Sequence, residues 1–279
     1  MGFGPPHTEQ MTNQDDWPAS LREAPAALVV AHPGHELRVF GWLRLARPTV
    51  FVLTDGSGRS GRSRLASTTT VLRGAGAARG CIYGRLTDLA LYDAILALRL
   101  DLFTSLAEEL ATAFHREKVG YVVADAGEGY NPAHDACRMV VDTAVELARR
   151  RLDHRIESFD FPVVGDPNAV PFHRNDGLIR IQLDVETLRE KLSAAAAYTE
   201  LARDVDGAIS SFGEAAFKVE CIRPVDAPVI RADPFDRPPY YEEYGERQVA
   251  AGYYSRVLRL REHMAPLADG LNRYLERRM

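Results

Sequence analysis

Ala26-Ala27-Leu28-Val29-Val30-Ala31-His32-Pro33-Gly34-His35-Glu36 joins an unbroken apolar run to two histidines three residues apart. A short run without a polar residue reads as a strand buried on both faces, the pattern of a parallel sheet rather than of a half-solvated one. Pro33 stiffens the chain directly behind it and Gly34 carries no side chain, so the run ends in a tight turn. A helix follows, with Leu37, Phe40, Gly41 and Leu43 along one side.

Working outward, "TVFVLTDG" (49–56) is a second β-branched strand closed by Asp55-Gly56, and a Gly/Ser/Arg-rich loop leads to a helix from Arg64 to Leu72. "GCIYGRL" (80–86) is a third strand, followed by one long helix from Leu91 to His115. "GYVVADA" (120–126) is a fourth, followed by a helix from His134 to Arg151, and "RIESFDFPVVG" (155–165) a fifth. Strands alternating with helices predict an α/β, Rossmann-like three-layer fold with a mostly parallel sheet. Beyond Asp184 the pattern predicts a helix of about twenty residues, a strand in "FKVECIRPV" (217–225), and a helical stretch from Arg247 to Met279 interrupted at Pro266. The simplest partition is a flexible segment 1–24, an α/β domain 25–225, and a Tyr/Pro-rich loop with a helical extension, 226–279, packed on that domain.

Composition narrows the function classes. Of 279 residues 46% are hydrophobic and 26% charged, the net charge is −5, and no basic stripe advertises nucleic acid. Three widely spaced cysteines argue for a reducing compartment rather than a disulfide framework. No signal-peptide pattern and no uncharged run long enough to span a bilayer is present, so the expectation is a cytoplasmic protein with a small-molecule substrate and no membrane.

In open parallel sheets ligands gather beyond the carboxyl ends of the strands. His32 and His35 follow the first strand, Asp55 the second, Asp88 the third and Asp125 the fourth, while His134 opens the helix after the fourth. Two histidines on a turn and a third from a remote element make the ligand count of a catalytic zinc site, with one position left open. The plainer alternative is that His32 caps the sheet edge while His35 and His134 merely begin helices. The other five histidines (His7, His115, His154, His173 and His263) read as surface residues, and Cys137 as a small core residue on an apolar helix stripe.

Taken together these motifs resemble the LmbE/PIG-L family of zinc-dependent N-deacetylases. "AHPGHE" stands where the family has Ala-His-Pro-Asp-Asp-Glu, and "TDGS" (54–57) stands for its Thr-Asn-Gly-Glu-like turn. Arg64 keeps the family's arginine, Asp88 its aspartate after the third strand, and Asn131-Pro132-Ala133-His134 its His-Pro-Asp-His. The late helix with "KLSAAAAYTELARD" and the strand around Glu220 match as well, so the likeness runs from about Ala26 to Val225. It implies metal ligation by His32, His35 and His134, the last two being the positions of the family's second Asp and last His. Zinc, or another divalent transition metal, is the implied cofactor. The family's general base is replaced by Gly34 and its proton-donating His by Asn131.

Asn131 retains a donor for an oxyanion but no transferable proton. Asp125 is the first choice as a substitute proton acceptor, with orientation of a ligand histidine as its alternative. Glu128 and Asp135 are nearby carboxylates, the latter explained by helix N-terminal electrostatics. Arg64 and Asp88 are candidates to grip a polar substrate. Glu36 is expected to be a structural partner for an arginine. Tyr240, Tyr241 and Tyr244 suggest a lid over a cleft or a contact between copies of the chain. The expected activity is hydrolysis of an N-acyl or carbamoyl C–N bond in a small, sugar-like metabolite. A non-hydrolytic step at the same metal site, or a silent binding homologue, are the alternatives.

Overall fold

Every side chain of strand β1 (Ala26–Val30) is buried, and the strand feeds two cores at once. Ala27 and Val29 point to one, Ala26, Leu28 and Val30 to the other, as the two-residue repeat of a strand requires. The computed structural model describes residues 17–151, 155–168, 177–225 and 238–278. His7, His154, His173 and most of the expected N-terminal segment therefore lie outside the described residues. The part of that segment that is described, from Trp17, includes helix α1 (Ala19–Glu23), and Trp17 and Leu21 pack into the core.

The chain continues through α2 (Phe40–Ala46), β2 (Thr49–Thr54), α3 (Leu65–Ala75), β3 (Ala78–Leu86), α4 (Asp88–Leu96), α5 (Leu100–Arg116), β4 (Tyr121–Asp125), α6 (Pro132–Arg149) and β5 (Glu157–Phe161). After these come β6 (Ile179–Gln182), α7 (Val185–Ala197), α8 (Ala202–Phe212), β7 (Val219–Pro224), α9 (Tyr240–Ala250) and α10 (Ala265–Glu276). The sheet order is β3-β2-β1-β4-β5-β7-β6. The first five strands in that order run parallel, while β7 pairs antiparallel with β5 and β6. Residues of α4, α5, α6 and α10 share one core cluster, those of α1, α2 and α3 the other. This is the expected α/β architecture, with the strand order reversing between β1 and β4. Among the described residues no helix is long and apolar enough to cross a membrane.

Three local expectations are corrected and one strand is added. The single helix from Leu91 to His115 is two, α4 and α5, because Leu98 adopts the left-handed conformation (φ 49°) between them. No glycine or proline marks that break, and a leucine there is uncommon. The twenty-residue helix after Asp184 is also two, because Tyr198 leaves the helix to bury its ring and bond Thr68 Oγ1 at 2.8 Å. Pro266 does not interrupt α10 but sits in its first turn, where a missing N–H is no loss; the interruption falls between α9 and the π-turn at Leu260–Met264. Strand β6, four residues with alternating burial, was too short to read from its pattern.

Candidate metal and substrate cleft

The turn after β1 is held from several remote elements. Asp125, at the end of β4, accepts from Ala31 N at 2.7 Å. Glu36 folds back to accept from Gly34 N at 2.7 Å. Glu220 on β7 accepts from Gly41 N and Trp42 N, both at 2.9 Å, satisfying the start of α2. Lys191 on α7 donates to Glu220 at 2.8 Å and to Arg38 O at 3.1 Å, and both charged groups are buried. Gly41 is needed because a Cβ there would stand 2.2 Å from Leu183 and 3.3 Å from the Glu220 carboxylate.

The far side of the site has a local construction. Asn131 caps α6 by accepting from Ala133 N at 2.9 Å, with Pro132 in the first turn. Asp135 accepts from Glu128 N and Gly129 N at 3.0 and 3.1 Å, closing the loop before the helix. His134 is thereby aimed at the turn carrying His32 and His35.

The three imidazoles meet. Ring centroids are 5.3 Å apart for His32–His35, 5.3 Å for His32–His134 and 4.6 Å for His35–His134. Three imidazoles bound tetrahedrally at zinc–nitrogen distances of about 2 Å have centroids roughly 5 Å apart. His32 Nδ1 lies 2.8 Å from both Thr54 Oγ1 and Asp88 Oδ1, and His35 Nδ1 lies 2.8 Å from Asp125 Oδ2. A carboxylate only accepts, so Nδ1 is a donor in both rings, and in a neutral ring of this tautomer the lone pair is on Nε2. Asn131 Nδ2 stands 3.4 Å from His32 Nε2. His134 has its Nδ1 buried with no hydrogen-bond partner.

Burial lowers the pKa of His35, against the pull of Asp125, and lowers that of His134 well below the usual histidine range, reinforced by the other two rings. Neutral imidazoles of this kind are the ligand form. Asp88 is also desolvated, yet its hydrogen bond and charge contact with His32 hold it well below the usual carboxylate range. Carboxylates behind ligand histidines are the usual outer support of a metal site. Among the described residues, however, no three His, Cys, Asp or Glu side chains stand with donor atoms already converged on a metal position. The ring spacing and the chemistry of the set fit an ion, and among the described residues nothing holds the Nδ1 of His134.

The remaining expectations sort by position. Asp125, expected to accept a proton, is fully buried behind His35 with Oδ2 shared between His35 and Ala31 N, so it orients rather than faces a reactant. Asp88, expected to grip substrate, is engaged by His32 and by Gly58 N. Arg64 lines the cleft and donates from Nε to Gly56 O. Glu128 takes Val163 N and Val164 N, and burial pushes its carboxyl up to about 7, as it does that of Asp135. Asp125, Glu128 and Asp135 all lie off the cleft lining. Glu36 accepts from the Gly34 backbone, the charge of Arg64 reaches it without a hydrogen bond, and burial raises its pKa to about 7. Cys137 is a buried core residue.

Gly34 cannot be exchanged for a carboxylate in this setting. Its φ is +108°, and a Cβ there would stand 2.3 Å from Leu201 Cδ1 and 3.7 Å from the Tyr198 ring. Leu201 and Tyr198 therefore fill the space beside the histidines where a base at this position would project.

The histidines open into a cleft of about 1270 Å³. Tyr240, Tyr241 and Tyr244 lie in its wall, as do Tyr92, Tyr130, Tyr253 and Tyr254, and residues of α8 line it too. Sequence reading missed the α8 wall and the Leu201 plug. The signal for the first was present, since Val205, Ala208, Ile209 and Phe212 repeat at helical spacing.

No protein-family model matches the chain, and no curated protein matches it by sequence. Among solved structures the chain is similar to the zinc-inhibited form of teicoplanin deacetylase Orf2, with 14% identity and a TM-score of 0.49 over 72% of this chain and 97% of that one. It is also similar to the A40926 pseudoaglycone deacetylase Dbv21, with 19% identity and a TM-score of 0.47 over 72% and 96% of the two chains.

Proposed function

We propose that this protein is a metal-dependent hydrolase of the N-deacetylase type, cleaving an N-acyl or carbamoyl C–N bond on a polar, sugar-like group. The observation that carries the reading is the meeting of His32, His35 and His134 at the β1/β4 switch point, two of them backed by carboxylates. The resemblance of "AHPGHE" and the Asn131–His134 segment to LmbE/PIG-L motifs supports the same reaction. A zinc ion held by these rings supplies Lewis-acid polarisation of a carbonyl and water made acidic enough to react near neutral pH.

The chain's own groups do the rest. Asp88 with Thr54, and Asp125, keep His32 and His35 in the Nδ1–H tautomer and aim both Nε2 atoms inward. Asn131, rigid because its Oδ1 caps α6, presents Nδ2–H beside His32 and donates to the oxyanion as it forms. Arg64 stands on the cleft wall as a cationic contact for the polar group. Metal analysis of freshly purified wild type and His32→Ala, with acetate and ammonia release from a panel of N-acyl and carbamoyl sugars, tests the proposal. Expected are one equivalent of divalent transition metal and product release in wild type, and loss of both in the variant. A wild type that refuses zinc, iron and cobalt on titration overturns it.

The Leu201 plug favours a second reading, a non-hydrolytic step at the same site, because it occupies the place of a proton-accepting carboxylate at position 34. Metal binding that requires His32, with substrate turnover but no acetate or ammonia, selects this reading.

A further inference from the structure

Helix α8 has an apolar stripe of Val205, Ala208, Ile209 and Phe212, spaced to share one face, yet none of its residues is buried. Among the described residues neither hydrophobic core takes up this stripe, and all four side chains line the cleft. A helix normally gives such a stripe to the core. The same cleft is lined by an aromatic wall in which Tyr130 and Tyr240 are stacked with centroids 4.8 Å apart and planes 8° from parallel. Those rings are 45% and 40% exposed, so the stack is not closed off by the fold. Tyr244 and Tyr254 extend it, and the charge of Asp204 on α8 reaches the Tyr130 hydroxyl, so the two walls are neighbours in one cleft.

We propose that this part of the cleft, beginning beside Asn131, is a subsite for a planar aromatic group carried by the substrate next to the bond broken at the histidines. The inference rests on the hydrolase reading only for where the reacting end lies. A flat ring packs by offset stacking or edge-on against the exposed Tyr130–Tyr240 pair, where the Arg247 guanidinium already lies 5.5 Å over Tyr240, and the apolar side chains of α8 line the same cleft. An alkyl chain gains burial there but no stacking. The cleft volume of about 1270 Å³ also exceeds the roughly 300–1,000 Å³ of ordinary small-ligand sites. The substrate is thus a polar, N-acylated head bearing an aromatic substituent.

The test is a fluorescence titration of the full chain with 2-naphthol. Wild type binds; Tyr240→Ala and Ile209→Asn each weaken binding about tenfold; His32→Ala leaves it unchanged. Neither substituted position contributes to a core, and thermal melts confirm folding. Equal affinity in wild type, Tyr240→Ala and Ile209→Asn overturns the proposal. So does displacement of the naphthol by 1-octanol as readily as by 1-naphthylmethanol, which makes the occupant an alkyl chain. A wild-type dimer that Ile209→Asn dissociates overturns it in favour of a second copy of the chain. Naphthol binding with the expected losses, but no acetate or ammonia from any substrate, leaves the subsite standing and removes the hydrolase reading; the converse pattern removes the subsite alone.

Discussion

The two halves of the histidine cluster are built by different means. The turn bearing His32 and His35 is held by side chains from far along the sequence: Asp125 on β4, Lys191 on α7 and Glu220 on β7. The entrance to α6, bearing His134, is held by its own neighbours, the Asn131 cap and the Asp135 loop closure. The first half is fixed by the whole fold, and its rings are fixed too, each with a carboxylate behind it. The second is fixed by local rules, and its ring has no such partner at Nδ1. On the metal reading proposed above, two of the rings are oriented in advance and the third has no described partner at Nδ1.

The largest test of that contrast is Lys191→Met. It leaves the Glu220 carboxylate buried without its cation, which costs about 3–5 kcal/mol, and for a chain of this size lowers Tm by on the order of 10 °C. The double variant Lys191→Met/Glu220→Gln recovers part of the loss. A melt within a degree or two of wild type means that the first turn does not depend on its remote supports.

Gly34→Ala follows. A side chain at φ +108° costs about 1–3 kcal/mol in backbone strain, and overpacking against Leu201 adds about 1–3 kcal/mol. Gly34→Ala/Leu201→Ala removes the second contribution and keeps the first, so the pair of melting curves separates them. If the double variant melts no higher than the single, Leu201 is not what closes this space.

How much of this was readable from the sequence follows the same division. The strand AALVV, the turn and the three histidines are signalled by residues adjacent in the chain, and the structure brings the histidines together; α6 begins at Pro132 behind an Asn131 cap, two residues before the expected start at His134. What holds the first turn was less readable, because Glu220 and Lys191 lie some 180 and 150 residues from their backbone partners. Spacing carries no information about such pairs, and only the family resemblance drew attention to that region. Asp125 was visible as a strand-end acid, but which of its two roles it plays depends on whether it faces the cleft or His35. The break at Leu98 was invisible for a different reason: leucine is a good helix former, and no neighbouring glycine or proline announces the left-handed residue.

Asp125→Asn sharpens the comparison within the cluster. An asparagine oxygen in the place of Oδ2 still accepts from both Ala31 N and His35 Nδ1 but without the charge, and its NH2 group stands unpartnered at the buried place of Oδ1, so a stability loss of about 1–2 kcal/mol is expected. Metal affinity, measured by competition with a chelator, falls roughly ten- to a hundredfold because His35 loses its carboxylate. The rings are asymmetric in this respect: with no comparable contact at the Nδ1 of His134, no second-position change there has an equal effect. Unchanged metal affinity in Asp125→Asn removes the orienting role assigned to this residue.

The smallest effect belongs to the local half, and it separates folding from chemistry. Asn131 does two jobs through two atoms: Oδ1 caps α6, and Nδ2 faces the histidines. Asn131→Ala loses both, costing about 1 kcal/mol of stability as a lost N-cap does. Asn131→Asp keeps the cap, since aspartate is as good an N-cap as asparagine, and so melts within a degree or so of wild type. It nevertheless replaces a donor with an acceptor beside His32, and kcat falls about 10²–10³-fold if that donor stabilises the oxyanion. The informative quantity is the difference between the variants. If Asn131→Asp retains full activity, Asn131 is a cap alone, and the α6 entrance contributes only His134 to the reaction.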